Sequence, residues 1–214
     1  MKVGTDGVLL GAWADVEGAT TALDIGTGSG LIALMLAQRN ATLRVWGIDI
    51  DTAAVEQAKE NAERSPWADR IEVLQADFCH VARSQTFSLI VSNPPFHAED
   101  TPNPDQARNA ARHTSALPIP VLMRNAAALL EGQGRFCLIV PTTLAAEVIG
   151  EGAANHLYLS RRTDVKTTPA KPAKRSLLEF RLYASPTEHS VLHLQDDHGG
   201  RSEAYSALTE AFYL

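Results

Sequence analysis

Apolar residues along this chain come in short runs divided by glycine-rich or polar turns, and the runs switch between strand-like and helix-like spacing. Residues 21–25 (Thr-Ala-Leu-Asp-Ile) are extended and apolar, Gly26-Thr27-Gly28-Ser29-Gly30 interrupts them, and residues 31–38 continue as strong helix formers. The pattern is strand, glycine turn, helix. Residues 43–49 predict a second strand, and 52–65 a second helix in which Ala53, Ala54, Ala58 and Ala62 recur among polar residues. A third strand alternates through 70–75 and leads to Asp77, a fourth fills 87–92 and stops at Asn93, a helix covers 119–130, and a fifth strand covers 134–141. After Pro141 the pattern predicts a helix over 143–153, strands near 157–165, 177–184 and 191–194, and an amphipathic helix over 202–212. Strands alternating with helices at this spacing make parallel βαβ units. The expectation is therefore an α/β fold: a mostly parallel sheet of about seven strands with helices on both faces, in one domain spanning 1–214. Residues 99–105 and 167–174 read as polar, proline-containing loops.

Composition narrows the setting. At 214 residues and 45% hydrophobic, the chain can bury one large core as a soluble globular protein. No run reaches the roughly 18 apolar residues of a membrane span, and the opening Met1-Lys2-Val3-Gly4-Thr5-Asp6 lacks a signal-peptide core, so a cytoplasmic location is expected. Cys79 and Cys137 have neither metal-site spacing nor histidines clustered beside them, and no metal is expected. The net charge of -6 is unevenly spread. Between His156 and Arg181 stand Arg161, Arg162, Lys166, Lys171, Lys174, Arg175 and Arg181 against Asp164 and Glu179. An acidic body with one polyanion-binding edge has this distribution, and so does a solvated basic face without a partner.

Two constellations carry chemistry. Gly26-x-Gly28-x-Gly30 is not the dinucleotide fingerprint, because Leu31 stands at the third glycine position, but it still brings bare backbone to a ligand at a helix start. Asp24 precedes it, Asp49 closes the second strand where a carboxylate can accept ribose hydroxyls, and Asp77 closes the third. Each could instead cap the following helix. Together they suit a phosphate-free nucleoside with a cationic tail, which S-adenosyl-L-methionine is. Asn93-Pro94-Pro95-Phe96 at a strand end is a stiff, acceptor-rich turn capped by an aromatic. An Asn oxygen and a backbone carbonyl can accept both hydrogens of a conjugated amine and stabilise the charge that grows as its nitrogen attacks, while Phe96 stacks on the planar group. A proline stop after a strand is the plainer reading. The target is a planar amino group, on a base or on a glutamine.

Asp24-Ile25-Gly26-Thr27-Gly28-Ser29-Gly30 followed by Asn93-Pro94-Pro95-Phe96 resembles the class I S-adenosylmethionine-dependent methyltransferases of the adenine-N6 and glutamine-N5 branches. The opening Met1 to Trp13, the helix 31–38, Ala111-Arg112-His113, Arg161-Arg162-Thr163-Asp164-Val165 and the ending 205–214 are similar to the bacterial tRNA1(Val) (adenine-37-N6)-methyltransferases. The resemblance covers nearly the whole chain and implies a Rossmann-like class I fold acting as a monomer on tRNA. It implies that Thr5 and Asp6 close over the methionine end of the cofactor, and that Asp24, Gly26, Thr27, Gly28, Gly30, Asp49, Ile50, Asp77, Phe78 and Asn93 hold the rest. Asn93, Pro94 and Pro95 would present acceptors to the adenine, with Phe96 against the base. Residues 99–112 would form a flap whose Arg108 and Arg112 meet phosphate, and Arg161, Arg162, Lys166, Lys171, Lys174 and Arg175 would grip the RNA backbone. The family often has tyrosine where Phe96 stands and a short basic, aromatic segment before the position of Met1, so the chain is expected to start inside the family's N-terminus. The competing expectations are a release-factor glutamine methyltransferase, a DNA adenine methyltransferase and a non-catalytic binder of cofactor or RNA.

Overall fold

The computed structural model describes residues 4–80, 85–95 and 117–212. Helix α1 (Thr5–Trp13) precedes the first strand, and then come β1 (Thr21–Ile25), α2 (Leu31–Arg39), β2 (Arg44–Asp49), α3 (Thr52–Glu63), β3 (Ile71–Gln75) and β4 (Phe87–Ser92). The second half contains α4 (Ile119–Leu129), β5 (Leu130–Pro141), α5 (Ala145–Ala154), β6 (Tyr158–Lys166), β7 (Ala173–Arg181), β8 (Glu188–His193) and α6 (Glu203–Thr209). The strands form one sheet in the order β3-β2-β1-β4-β5-β7-β6-β8, parallel from β3 to β5, with β7 antiparallel to both neighbours. Eight strands are present among the described residues rather than about seven, the run expected near 191–194 standing as a full edge strand over Glu188–His193, parallel to β6.

Both faces are covered, which is why the strands read as nearly unbroken apolar runs. Along β5, Cys137 and Ile139 face α1 and α2, while Phe136, Leu138 and Val140 face α4 and α5. The chain winds outward from β1 to β3 and then restarts at β4 on the other side. The order therefore reverses between β1 and β4, and a crevice opens at their carboxyl ends. No helix among the described residues is long and apolar enough to cross a membrane.

Helix α1 was not expected from periodicity, because Gly7 through Trp13 are all buried and no polar face marks the turn. Gly7 and Gly11 let it approach α2: a Cβ on Gly7 would lie 3.3 Å from Leu31 Cδ2, and one on Gly11 only 2.7 Å from Met35 Sδ. Arg39 then donates to Gly11 O (2.7 Å) and Ala14 O (2.6 Å), satisfying carbonyls that the end of α1 leaves open.

Candidate active site

The glycine turn and the Asn-Pro-Pro turn leave the sheet from one rung. Ile25 of β1 pairs with Ser92 of β4, so Gly26 and Asn93 begin on neighbouring strands about 4.8 Å apart. Ser92 Oγ donates to Ile25 O at 3.1 Å, closing the rung below both turns. Asn93 is half-buried, Pro94 buried and Pro95 exposed. Phe96, Arg108, Arg112 and the expected 99–112 flap lie outside the described residues.

The turn is held from beneath by β2. Gly26 N and Thr27 N both donate to Ile48 O at 2.9 Å, Gly28 N donates to Asp49 Oδ2 at 2.9 Å, and Gly30 N returns to Thr27 O. Gly26, Gly28 and Gly30 have φ of 69°, 58° and 79°, the left-handed region in which a side chain is strained. A Cβ on Gly26 would meet nothing within 4 Å, leaving space above the turn. Gly47 is a glycine whose role the sequence reading missed: a Cβ there would lie 2.9 Å from Thr27 Oγ1. An isolated glycine inside a strand pattern was the available signal of a close backbone approach. Asn61 of α3 donates to Ser29 O at 2.8 Å, so the second βα unit also braces the turn.

The three strand-end carboxylates are differently placed. Asp24 is fully buried and accepts from Thr27 Oγ1 (2.7 Å) and Ala33 N (3.2 Å), while its Oδ1 has no partner. Burial pushes its carboxyl up to about 7, against the opposing pull of those hydrogen bonds, and the nearby Asp49 adds to the rise. It fastens the turn from inside. Asp49 is half-buried and spends its other oxygen on Asp51 N at 3.0 Å. Asp77 is the most open: Oδ1 accepts Cys79 N (2.8 Å) and Oδ2 meets His80 Nδ1 (2.9 Å), and these bonds hold it below the usual carboxylate range. The capping alternative therefore describes part of what each carboxylate does, although the cap of α3 itself is Asp51.

The two apolar candidates also separate. Ile50 is 47% exposed beside Asp49, an open platform. Phe78 is buried in the core cluster with Ile25 and Ile48, so its ring offers no surface to a ligand, and its carbonyl is taken by Asn125 Nδ2 of α4 at 2.8 Å. Gln75, which the sequence reading had not singled out, donates to Ile50 O (3.2 Å) and Thr52 Oγ1 (2.9 Å) and steadies the platform.

Most of the basic segment is committed inside the protein. Arg161 donates to Glu179 Oε2 (2.9 Å) and Trp13 O (3.1 Å), and its guanidinium lies 3.8 Å over the Trp13 ring. Arg181 meets the same buried Glu179. Arg162 pairs with Asp164 (2.9 Å), Lys166 Nζ donates to Pro169 O (2.7 Å), and Arg175 pairs with Asp6 (2.7 Å). Of the described residues expected to grip RNA, Lys171 and Lys174 stand exposed, the first in the loop between β6 and β7 and the second at the start of β7. That loop follows the carboxyl end of β6, which runs parallel to β8 and antiparallel to β7, and so lies on the edge of the sheet that carries Asn93.

The site suits S-adenosyl-L-methionine. Its glycine turn contains no basic residue to receive phosphate, two carboxylates lie beneath it, and an exposed apolar residue, Ile50, adjoins Asp49. A cation with a nucleoside is favoured there over a phosphate.

Residues 7–158 match the model of the methyltransferase small domain. The chain is 45% identical over 215 residues to a tRNA1(Val) (adenine(37)-N6)-methyltransferase of Bacteroides thetaiotaomicron, covering 100% of this chain and 91% of the relative. A protein of the same description from Klebsiella pneumoniae subsp. pneumoniae is 45% identical, covering 100% of this chain and 89% of its own. Among solved structures, a predicted O-methyltransferase, Atu636 from Agrobacterium tumefaciens, is similar with a TM-score of 0.75 and 20% identity over 96% of each chain. The glycopeptide N-methyltransferase MtfA, solved with S-adenosylmethionine, is similar with a TM-score of 0.62 at 14% identity, covering 86% of this chain and 90% of that one. These structural likenesses support the fold.

Proposed function

This chain belongs to the methyltransferase small domain family and, within it, to the tRNA1(Val) (adenine(37)-N6)-methyltransferases, and on that premise we propose how it works: as a cytoplasmic, single-domain monomer that transfers a methyl group from S-adenosyl-L-methionine to N6 of adenine 37 in tRNA1(Val). The observation that carries this reading is the shared rung. A donor turn and an amine-accepting turn leave paired residues, Ile25 and Ser92, at the topological switch point.

Held at the Gly26–Gly30 turn, S-adenosyl-L-methionine would supply an electrophilic methyl carbon, with its positive sulfur as the leaving group that keeps the electron pair. The protein supplies positioning and charge stabilisation. Backbone of Gly26 and Gly28 approaches the donor closely, Asp49 accepts from ribose, and Ile50 carries the donor's adenine. Asn93 Oδ1 and the Pro94 carbonyl accept the two N6 hydrogens, localising the nitrogen lone pair and stabilising positive charge as it develops. Pro94 and Pro95 fix those acceptors before the base arrives. The proton leaves the methylated nitrogen for solvent, so no strong base is required. A loop adenine is among the least costly bases to swing into such a pocket. Lys171 and Lys174 contact the RNA backbone.

The reading is tested by incubating the protein with methyl-labelled cofactor and, separately, bulk bacterial tRNA, a translation release factor and duplex DNA. Label is expected in tRNA as N6-methyladenosine. Label confined to the release factor or to DNA would replace this reading with one of its rivals.

A further inference from the structure

Arg175 differs from the lysines around it in what it touches. Strand β7 places it opposite Pro141 of β5 and Val165 of β6, at the carboxyl ends of both. There its Nε donates to Asp6 Oδ2 at 2.7 Å and its Nη1 to Lys174 O at 3.1 Å. The two paired side chains are 40% and 34% exposed, so the pair is within reach of a ligand without being fully solvated. Asp6 lies in the first turn of α1, and the next residue, Gly7, packs against Leu31, the residue that follows the glycine turn.

The two ends of α1 are secured by different means. Its C-terminal end is clamped by Arg39 on Gly11 O and Ala14 O, and by Arg161 on Trp13. At its N-terminal end, Gly4 offers no side-chain cap, and the ion pair recorded there among the described residues is Asp6–Arg175.

We propose that Arg175 is a positioning residue for the methyl donor rather than an RNA contact: by holding Asp6 through Oδ2, it fixes the first turn of α1 beside the Gly26–Gly30 turn, where the amino-acid end of the donor, with its α-ammonium, is received. This rests on the S-adenosyl-L-methionine reading above. A phosphate drawn onto the Nε of Arg175 would displace Asp6, and the carboxylate would lose its orientation. A charge-assisted pair fixes that orientation before the ligand arrives, which lowers the entropic cost of binding. A pair this exposed adds little to folding stability, so its effect should appear in ligand affinity.

The test is calorimetric titration of two probes, S-adenosyl-L-homocysteine and 5′-methylthioadenosine, which shares the nucleoside but lacks the aminoacyl end. In Arg175→Ala the affinity for S-adenosyl-L-homocysteine should fall about tenfold, the equivalent of one charge-assisted hydrogen bond. Binding of 5′-methylthioadenosine and of tRNA should stay within about twofold. Arg175→Lys should recover part of the loss, and Asp6→Asn combined with Arg175→Ala should lose no more than the weaker-binding single variant. Weakened tRNA binding with S-adenosyl-L-homocysteine unaffected would overturn the proposal, as would an equal loss for both nucleosides, which would report general damage. Failure of the unsubstituted protein to bind either nucleoside would instead remove the donor reading, and the proposal with it.

Discussion

Asn93 and Asp24 show how position on a strand decides what a polar residue does. Asn93 lies one residue beyond the last rung between β1 and β4, half-buried, where its amide can reach a ligand. Asn93→Ala removes one of the two acceptors that stabilise the developing charge, and kcat should fall roughly 10²–10³-fold, the usual size of losing one such group, with cofactor affinity little changed. Single-turnover rates and a cofactor titration on the same preparation check both halves. Asp24 is buried below the turn with its carboxyl raised to about 7. A carboxyl raised in the folded state binds a proton there that the unfolded chain releases from near pH 4, so its contribution to stability is full at low pH and lost as pH rises towards 7. Asp24→Asn removes that titration. The difference in unfolding free energy between the two proteins should therefore shift by on the order of 1 kcal/mol per pH unit between about pH 4 and 7 and level off above it, as read by chemical denaturation.

At the scale of elements, what was legible in sequence depended on whether a partner was local. The glycine turn, the strand ends and the Asn-Pro-Pro turn were legible because short, nearly unbroken apolar runs stop abruptly at glycine or proline. Helix α1 was not, since burial on every side erases its period and its two glycines lower its propensity. The edge strand β8 was expected only near 191–194; its earlier part was missed because Glu188, His189 and Ser190, like Val191, face solvent and lack the alternation that marks a half-buried strand. The basic segment was read by its charge, but its partners could not be: Arg175 meets Asp6 across the whole molecule, and Glu179, two residues before Arg181, is a buried acceptor shared by two arginines. What remains exposed for RNA among the described members of that segment is Lys171 in the β6–β7 loop and Lys174 at the start of β7. Replacing Lys171 and Lys174 together with alanine should weaken tRNA binding and reduce the slope of log affinity against log salt by about 1 to 2, as expected for two lost phosphate contacts. Arg161→Ala should instead lower thermal stability, because it leaves the buried Glu179 with one cation fewer.

For the molecule as a whole, the sheet order is the functional statement. Reversal between β1 and β4 brings together two turns 67 residues apart in sequence, and α1, packed on α2 and tied to β7, reaches the same carboxyl edge. The glycine turn, the Asn-Pro-Pro turn and the exposed lysines therefore share one edge of one sheet, while both faces are given to packing helices. That arrangement asks little of any single proton-transfer group and much of alignment, consistent with a reaction in which a displacement is held in line. The most direct measurement is to treat a tRNA1(Val) transcript with the protein and S-adenosyl-L-methionine, cut it with a ribonuclease and locate the added methyl by mass spectrometry. The expected result is one methyl, on N6 of adenine 37, in the unsubstituted protein and its near-absence in Asn93→Ala. A methyl at another nucleotide, or an undiminished one in Asn93→Ala, would contradict the account.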